Sequence, residues 1–248
     1  MASHSQGLTA PSFPAVTGRN GLIDKYFYFA ISLFMAGSVV AGFSRTVNDH
    51  LFHATPPRPF LLWIHAAAFT AWVAFFILQS ALVRTHNVRI HRSLGWFGAA
   101  LGAFMIPLGL AVSVVMGRFD EFTLHQPGVE QFLIVPYYDI AVFAICLALA
   151  ILWRRKPSLH RPLLLIATAI LLDAAYGRFD YIFNHDLSYV CIDGLVLLGM
   201  LRDLAVTRRV HRVYLVALPI LAVTQAFVIH TFRSASPWWM SIAHNILG

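Results

Sequence analysis

Charge is scarce in this chain. Lys, Arg, Asp and Glu make up 12% of its residues, whereas a soluble domain usually carries about 25%. That excludes an ordinary soluble domain. Cysteine is scarcer still: Cys146 and Cys191 are the two present, both inside apolar runs. They form no CxxC or zinc spacing, so a disulfide framework and a zinc module are excluded and packing is the simpler reading. No P-loop, G-x-S-x-G or dinucleotide-type glycine motif occurs, which removes the readable nucleotide-binding and serine-hydrolase classes. The last apolar run, Tyr214–Arg233, contains no Lys, so it offers no retinal Schiff base.

Apolar residues are what the chain has in abundance. They make up 58% of it, and the mean hydropathy is +0.69. Runs of about 20 apolar residues match a hydrocarbon core of about 30 Å. Such runs are predicted over 25–44, 60–83, 94–116, 131–153, 162–183, 187–202 and 212–233. The fold expected is an all-α integral membrane protein with about seven transmembrane helices. The sixth run is the shortest and contains Asp193. A compact hairpin of the fifth and sixth around Asn184-His185-Asp186 fits the same residues. The first run has basic residues before it and small ones near Ala41, as a signal sequence does. It is longer than a usual signal h-region, which predicts a retained helix.

Three times a basic stretch leads into His-Arg and then into an apolar run. The stretches are Arg84…His91-Arg92, Arg154-Arg155-Lys156…His160-Arg161 and Arg208-Arg209…His211-Arg212. Cytoplasmic loops of membrane proteins concentrate Lys and Arg. The tail and these three loops hold 13: Arg19, Lys25, Arg84, Arg89, Arg92, Arg154, Arg155, Lys156, Arg161, Arg202, Arg208, Arg209 and Arg212. The opposite side holds five: Arg45, Arg58, Arg118, Arg178 and Arg233. The bias predicts a cytoplasmic N-terminus and an outer C-terminus, and the chain is read as a protein of a bacterial-type inner membrane. The pattern fits three helical-hairpin repeats after the first helix. Independent demand for basic residues in every inner loop produces it equally well.

The net charge of +7 does not point to nucleic acid, because the basic residues sit in short loops between apolar runs. The partner they imply is anionic lipid at the inner face of the bilayer. Tyr and Trp near the run ends, among them Tyr26, Trp63, Trp96 and Trp153, suit the interface. Residues 1–20 read as a flexible cytoplasmic tail and 21–234 as one transmembrane domain. Residues 235–248, with Pro237-Trp238-Trp239-Met240, read as a helix lying on the outer surface.

Ionisable residues within the runs share the middle or outer half. His65, Asp139, Asp173, Asp193 and His230 lie there, with Arg178 beside them. A charge at membrane depth costs about 2.5–3.5 kcal/mol, so these groups are expected to face one cavity. His65, His230, Asp139, Asp173 and Asp193 are candidate metal ligands or proton carriers, and Arg178 is their charge partner. A transition metal is the cofactor considered first. Asp173, Tyr176, Gly177 and Asp180 share one helical face, as do Tyr189 and Asp193. An Arg178–carboxylate network that merely locks the helices explains the same residues.

The inner histidines, His91, His160 and His211, form a second candidate set. They can hold a haem b or a quinone, or simply sit hydrated at the interface. His50 and His53 with Asp49 make a His-x-x-His pair, a weak metal signal without the fuller H-E-x-x-H pattern. His125 and His185 are ambiguous loop residues.

Ile90-His91-Arg92-Ser93-Leu94-Gly95-Trp96 resembles the H-R-x-L-G loop motif of an uncharacterised group of bacterial multispanning membrane proteins. Leu159-His160-Arg161-Pro162-Leu163 and Arg209-Val210-His211-Arg212 are similar to that group's later loop motifs, although Pro162 replaces a basic or polar residue. The resemblance covers roughly residues 60–220, with His65, Asp139 and Asp173 in similar settings. It implies the topology and lends no activity. The reading from residues is an outward-facing His/Asp cavity for metal- or proton-linked chemistry, in transport or redox assembly. Its alternatives are a b-type haem electron carrier and a structural or accessory subunit with a protein partner.

Overall fold

The computed structural model describes residues 19–248, so residues 1–18 of the expected tail lie outside the described residues. The described chain forms α1 (Arg19–Phe43), α2 (Leu61–Arg84), α3 (Val88–Arg118), a short α4 (Val129–Phe132) and α5 (Ile134–Leu152). It continues through α6 (Pro157–Ile170), the short α7 (Asp173–Tyr176) and α8 (Asp180–Asn184), then α9 (Ser188–Thr207), α10 (Arg212–Arg233) and α11 (Pro237–Leu247). Two π-helical turns, Asn48–Phe52 and Phe119–Thr123, complete the regular structure among the described residues. The protein is an all-α membrane protein.

Six helical stretches among the described residues are long and apolar enough to cross a bilayer: Gly21–Phe43, Leu61–Arg84, Val88–Thr123, Val129–Leu152, Pro157–Tyr176 and Arg212–Arg233. The sixth predicted run has become α9, which has the length, 20 residues, but carries more charge along its membrane-length stretch than the six do along theirs. Asp193, Arg202 and Asp203 all stand in it. It is packed among other helices, against α1, α6, α7 and α10. Its last turns carry Arg202 onto Asp24 at the start of α1. Its first turn meets α7, against which the end of α1 also packs. It therefore runs antiparallel to α1 along nearly the same depth. Six apolar helices and one charged helix inside the bundle account for the seven runs.

The three hairpins are present as packed pairs, α2 with α3, α5 with α6, and α9 with α10. His-Arg stands at the start of each second helix. His91-Arg92 and His160-Arg161 lie in first turns. His211 is the N-cap of α10, its Nδ1 accepting the Val213 N–H at 3.2 Å. Three helix ends close without glycine. His86, Asp186 and Ala235 have φ of 62°, 55° and 47°. Each is followed by an amide that reaches back five residues, Asn87 to Leu82 at 2.8 Å, Leu187 to Ile182 at 2.9 Å and Ser236 to Thr231 at 3.3 Å. This is the Schellman closure, which satisfies carbonyls left free at a helix end.

Small residues let the helices approach. Gly98, Gly102 and Gly109 on α3 are buried, as expected where van der Waals packing holds membrane helices together. The tightest contact is on α1. A Cβ at Gly42 would lie 2.4 Å from the Ala175 carbonyl oxygen of α7. α6 is the most buried of the long helices and α2 among the least. Leu165, Ile166, Ala167, Ala169 and Ile170 put the centre of the core on α6, directly before Asp173.

The C-terminal helix docks on protein. Trp239, Ala243 and Leu247, four residues apart, bury one face, and α11 packs against α3 and α4. Arg118 donates to the Leu247 and Ile246 carbonyls at 2.9 and 3.2 Å. Its positive charge thus caps the negative end of the helix dipole.

Candidate site around Asp139 and Asp173

The α-helical ladder breaks where the site begins. Leu172 donates to Ala169 at 3.0 Å and Ala175 to Leu172 at 2.9 Å. These are three-residue steps, the tighter 3₁₀ pattern that often marks a hinge or strain within a helix. The break lies inside the apolar stretch Pro157–Tyr176, and Asp173 opens the next turn.

Asp139 of α5 and Asp173 of α7 are each 8% exposed and lie within electrostatic reach of one another. Two consecutive residues of α9 serve them. The Tyr189 hydroxyl donates to Asp139 Oδ1 at 3.0 Å, and Ser188 lies beside Asp173. The first turn of α9 therefore lies against both carboxylates and bonds one of them.

Arg178 is the nearby cation. It reaches Asp173 through space but spends its hydrogen bonds elsewhere. Nε donates to Thr46 Oγ1 at 2.9 Å, Nη1 donates to the Ala174 carbonyl, and the guanidinium lies 3.8 Å from the Phe43 ring centroid. A guanidinium keeps its proton at neutral pH, so Arg178 stays cationic. His65 of α2 stacks on Phe69 with centroids 4.0 Å apart. Its Nδ1 is buried without a hydrogen-bond partner, and it feels the charge of Arg178.

A second polar group flanks the first. Consecutive residues of α10 hold it together: Thr224 bonds Tyr138 at 2.8 Å, and Gln225 donates to Asp193 Oδ1 at 3.2 Å. The rings of Tyr138 and Tyr189 lie 5.7 Å apart, edge to face, so the two groups touch.

Of the expected set, the fold brings Asp139 within reach of Asp173, Asp173 within reach of Arg178, and Arg178 within reach of His65. Asp193 is engaged by Gln225 one layer away, and His230 is exposed on α10. Among the described residues, no group of three or more His, Cys, Asp or Glu is arranged to hold a metal ion. Chemically, the centre is two carboxylates and a tyrosine hydroxyl with one cation beside them, a set suited to holding and passing a proton.

The chain matches no family model, no characterised protein and no solved structure.

At the basic end the histidines divide. His91 and His160 meet with ring centroids 6.4 Å apart at 81°, and His160 Nδ1 is bonded to the Ala150 carbonyl at 2.9 Å. His211 is occupied in capping α10. The His-x-x-His pair is drawn into local bonds. His53 Nδ1 meets Asn48 Oδ1 at 2.9 Å, and Asn48 also donates to Asp49 at 3.0 Å.

Sequence reasoning did not find Ser188, Thr46, Thr224 or Gln225. Hydroxyl and amide side chains cost little on an apolar helix and carry no spacing signal. Tyr189 was visible only as a neighbour of Asp193 on its own helix, whereas its bond crosses to α5.

Proposed function

We propose that the chain is a multi-pass inner-membrane protein of bacterial type, with the basic end cytoplasmic and the Asp139–Asp173 pair carrying a proton for transport or redox assembly. The carrying observation is the pair itself, two buried carboxylates within electrostatic reach of one another beside a break in a membrane helix. Helix breaks at membrane depth are where transporters place substrate and coupling-ion sites. Two like charges within electrostatic reach in a desolvated place are cheapest with one of them protonated. Tyr189 holds an acceptor oxygen of Asp139 in position, and Arg178 supplies a fixed positive charge near Asp173. The 3₁₀ turn at Leu171–Leu172 supplies a hinge.

The test is proton uptake by purified protein in weakly buffered detergent, read with a pH dye as the pH is stepped. Wild type is expected to take up one proton more than Asp139→Asn or Asp173→Asn, both of which keep shape and most hydrogen bonding. Identical uptake by all three folded proteins contradicts the reading.

One observation favours haem b as a second reading, the approach of His91 and His160. The Ala150 bond fixes the His160 ring as such bonds fix ligating histidines. A haem absorption band in the purified protein, lost in His160→Ala, supports it. A protein purified with haem supplied and showing no such band contradicts it.

A further inference from the structure

A cavity of about 460 Å³ opens at the basic end, between α1, α6, α9 and α10. That volume falls in the range of small-ligand sites, about 300–1,000 Å³. Four arginines line it, Arg161, Arg202, Arg209 and Arg212, with Ser158 and His211. One of the four is neutralised. Arg202 donates to Asp203 at 2.7 Å and to Asp24. Asp203, the carboxylate in the wall, is fully engaged, because its other oxygen accepts the His211 backbone N–H at 3.2 Å. Arg161, Arg209 and Arg212 have no carboxylate in ion-pair range among the described residues. Three cationic side chains are thus left uncompensated around one concavity.

The backbone adds to this charge. Ser158 is the second residue of α6 and Arg212 the first of α10, so two helix N-termini converge on the same cavity. In α10 the Val213 and Tyr214 amides are already taken by His211, and the helix dipole places partial positive charge at both termini. Anions, phosphates above all, bind where such termini and arginines meet. His211 contributes a further donor. Its Nδ1 accepts the Val213 N–H, so a neutral ring carries its proton on Nε2.

The depth of the cavity identifies the source of the phosphate. It lies where α6 and α10 begin and α9 ends, the level of lipid headgroups. On the same helices, Leu201 and Leu204 of α9 and Leu215 of α10 are more than half exposed, at 59%, 52% and 53%. They offer apolar surface for acyl chains within about a turn of the arginines.

We propose that this cavity binds a phosphate ester, the headgroup phosphate of an anionic phospholipid. The site is independent of the acid pair at the other end of the bundle, and its test does not involve that pair. Wild type and the double variant Arg209→Gln/Arg212→Gln are purified in mild detergent. Both side chains are exposed and outside the core, so folding is retained and is verified by helical content and a monodisperse elution. Binding of phosphatidylglycerol is titrated by native mass spectrometry against phosphatidylcholine. A parallel arm titrates inorganic phosphate and reads the thermal shift.

Wild type is expected to prefer the anionic lipid. The double variant is expected to bind it about twenty-five-fold more weakly, from two basic residues at a factor of about five each. If inorganic phosphate alone stabilises wild type at millimolar concentration and the variant loses that response, the phosphate site stands with a soluble ligand. If wild type and variant bind both probes equally, the proposal is overturned.

Discussion

The two ends of the bundle use arginine in opposite ways. At the far end every arginine is consumed by the fold. Arg58 pairs with Asp120, and Arg233 pairs with Asp186 at 2.7 Å. Arg118 caps α11, Arg178 bonds Thr46, and Arg45 lies 4.6 Å from the Phe179 ring centroid. At the basic end Arg202 alone forms an ion pair among the described residues, while Arg209 and Arg212 are left exposed. The asymmetry in Lys and Arg number is therefore also an asymmetry in use. Far-end cations stabilise loops and helix ends; at the basic end Arg84, Arg154 and Arg161 lie over aromatic rings, and Arg209 and Arg212 remain exposed to the surroundings.

The largest effect that separates the ends comes from the closest helix contact. Gly42→Leu sets a side chain against the Ala175 backbone, and overpacking of this kind costs typically about 1–3 kcal/mol, occasionally more. Thermal unfolding in detergent is expected to show a clear loss for Gly42→Leu and little for Gly37→Leu, since nothing lies within 4 Å of a Cβ at Gly37. Equal behaviour of the two variants breaks the account of how α1 reaches the site.

Next in size is the difference between two arginines. Arg58→Gln strands Asp120, whose side chain is 25% exposed, at about 1–3 kcal/mol. Arg209→Gln is expected to stay within about 0.5 kcal/mol of wild type. Chemical denaturation of both in the same detergent checks this, and a larger loss from Arg209→Gln reverses the comparison.

Tyr189→Phe removes the hydrogen bond to Asp139 and is expected to destabilise by about 1 kcal/mol. The hydroxyl of Tyr138 does not bond that carboxylate, so Tyr138→Phe tests whether the effect is specific. The expected result is reduced proton uptake in Tyr189→Phe alone. Equal loss in both variants would assign the hydroxyls to packing.

The smallest effect is at His50, an exposed residue of the far-end π turn. Partial burial, with Arg58 and Arg178 nearby, holds its pKa below the ordinary 6.5. The folded state thus favours the neutral ring. That preference costs nothing above pH 6.5. Stability then falls as pH drops from there through the lowered folded value, because the unfolded state binds the proton first. His50→Gln is expected to flatten this part of the stability–pH curve, and an unchanged curve removes His50 from the account.

The architecture was legible because bilayer thickness and helix geometry leave few choices. The seventh run was placed at 212–233, where α10 lies, since His211 and Arg212 mark its start and Arg233 its end. The third run begins earlier than hydropathy suggests. His91 and Arg92 are polar, yet they occupy the first turns of α3. The fifth run was read as continuous, but its helix breaks at Leu171–Leu172, among leucines that carry no breaking signal. At the site, Asp139, Asp173 and Arg178 stood out by the cost of charge in an apolar run. Which of the charges meet was not legible, because depth along a helix says nothing of which neighbour it faces. His230 shares the depth of the others and points elsewhere, while Asp193 finds Gln225.

The central claim is that Asp139 and Asp173 hold an exchangeable proton between them. Infrared spectra of the protein in liposomes, recorded through a pH titration, test it most directly, because a protonated carboxyl has its own C=O stretching band. The account predicts one such band that titrates in wild type and is lost or moved in both Asp139→Asn and Asp173→Asn. A band unchanged in both variants, or no titrating carboxyl band in folded wild type, would contradict it.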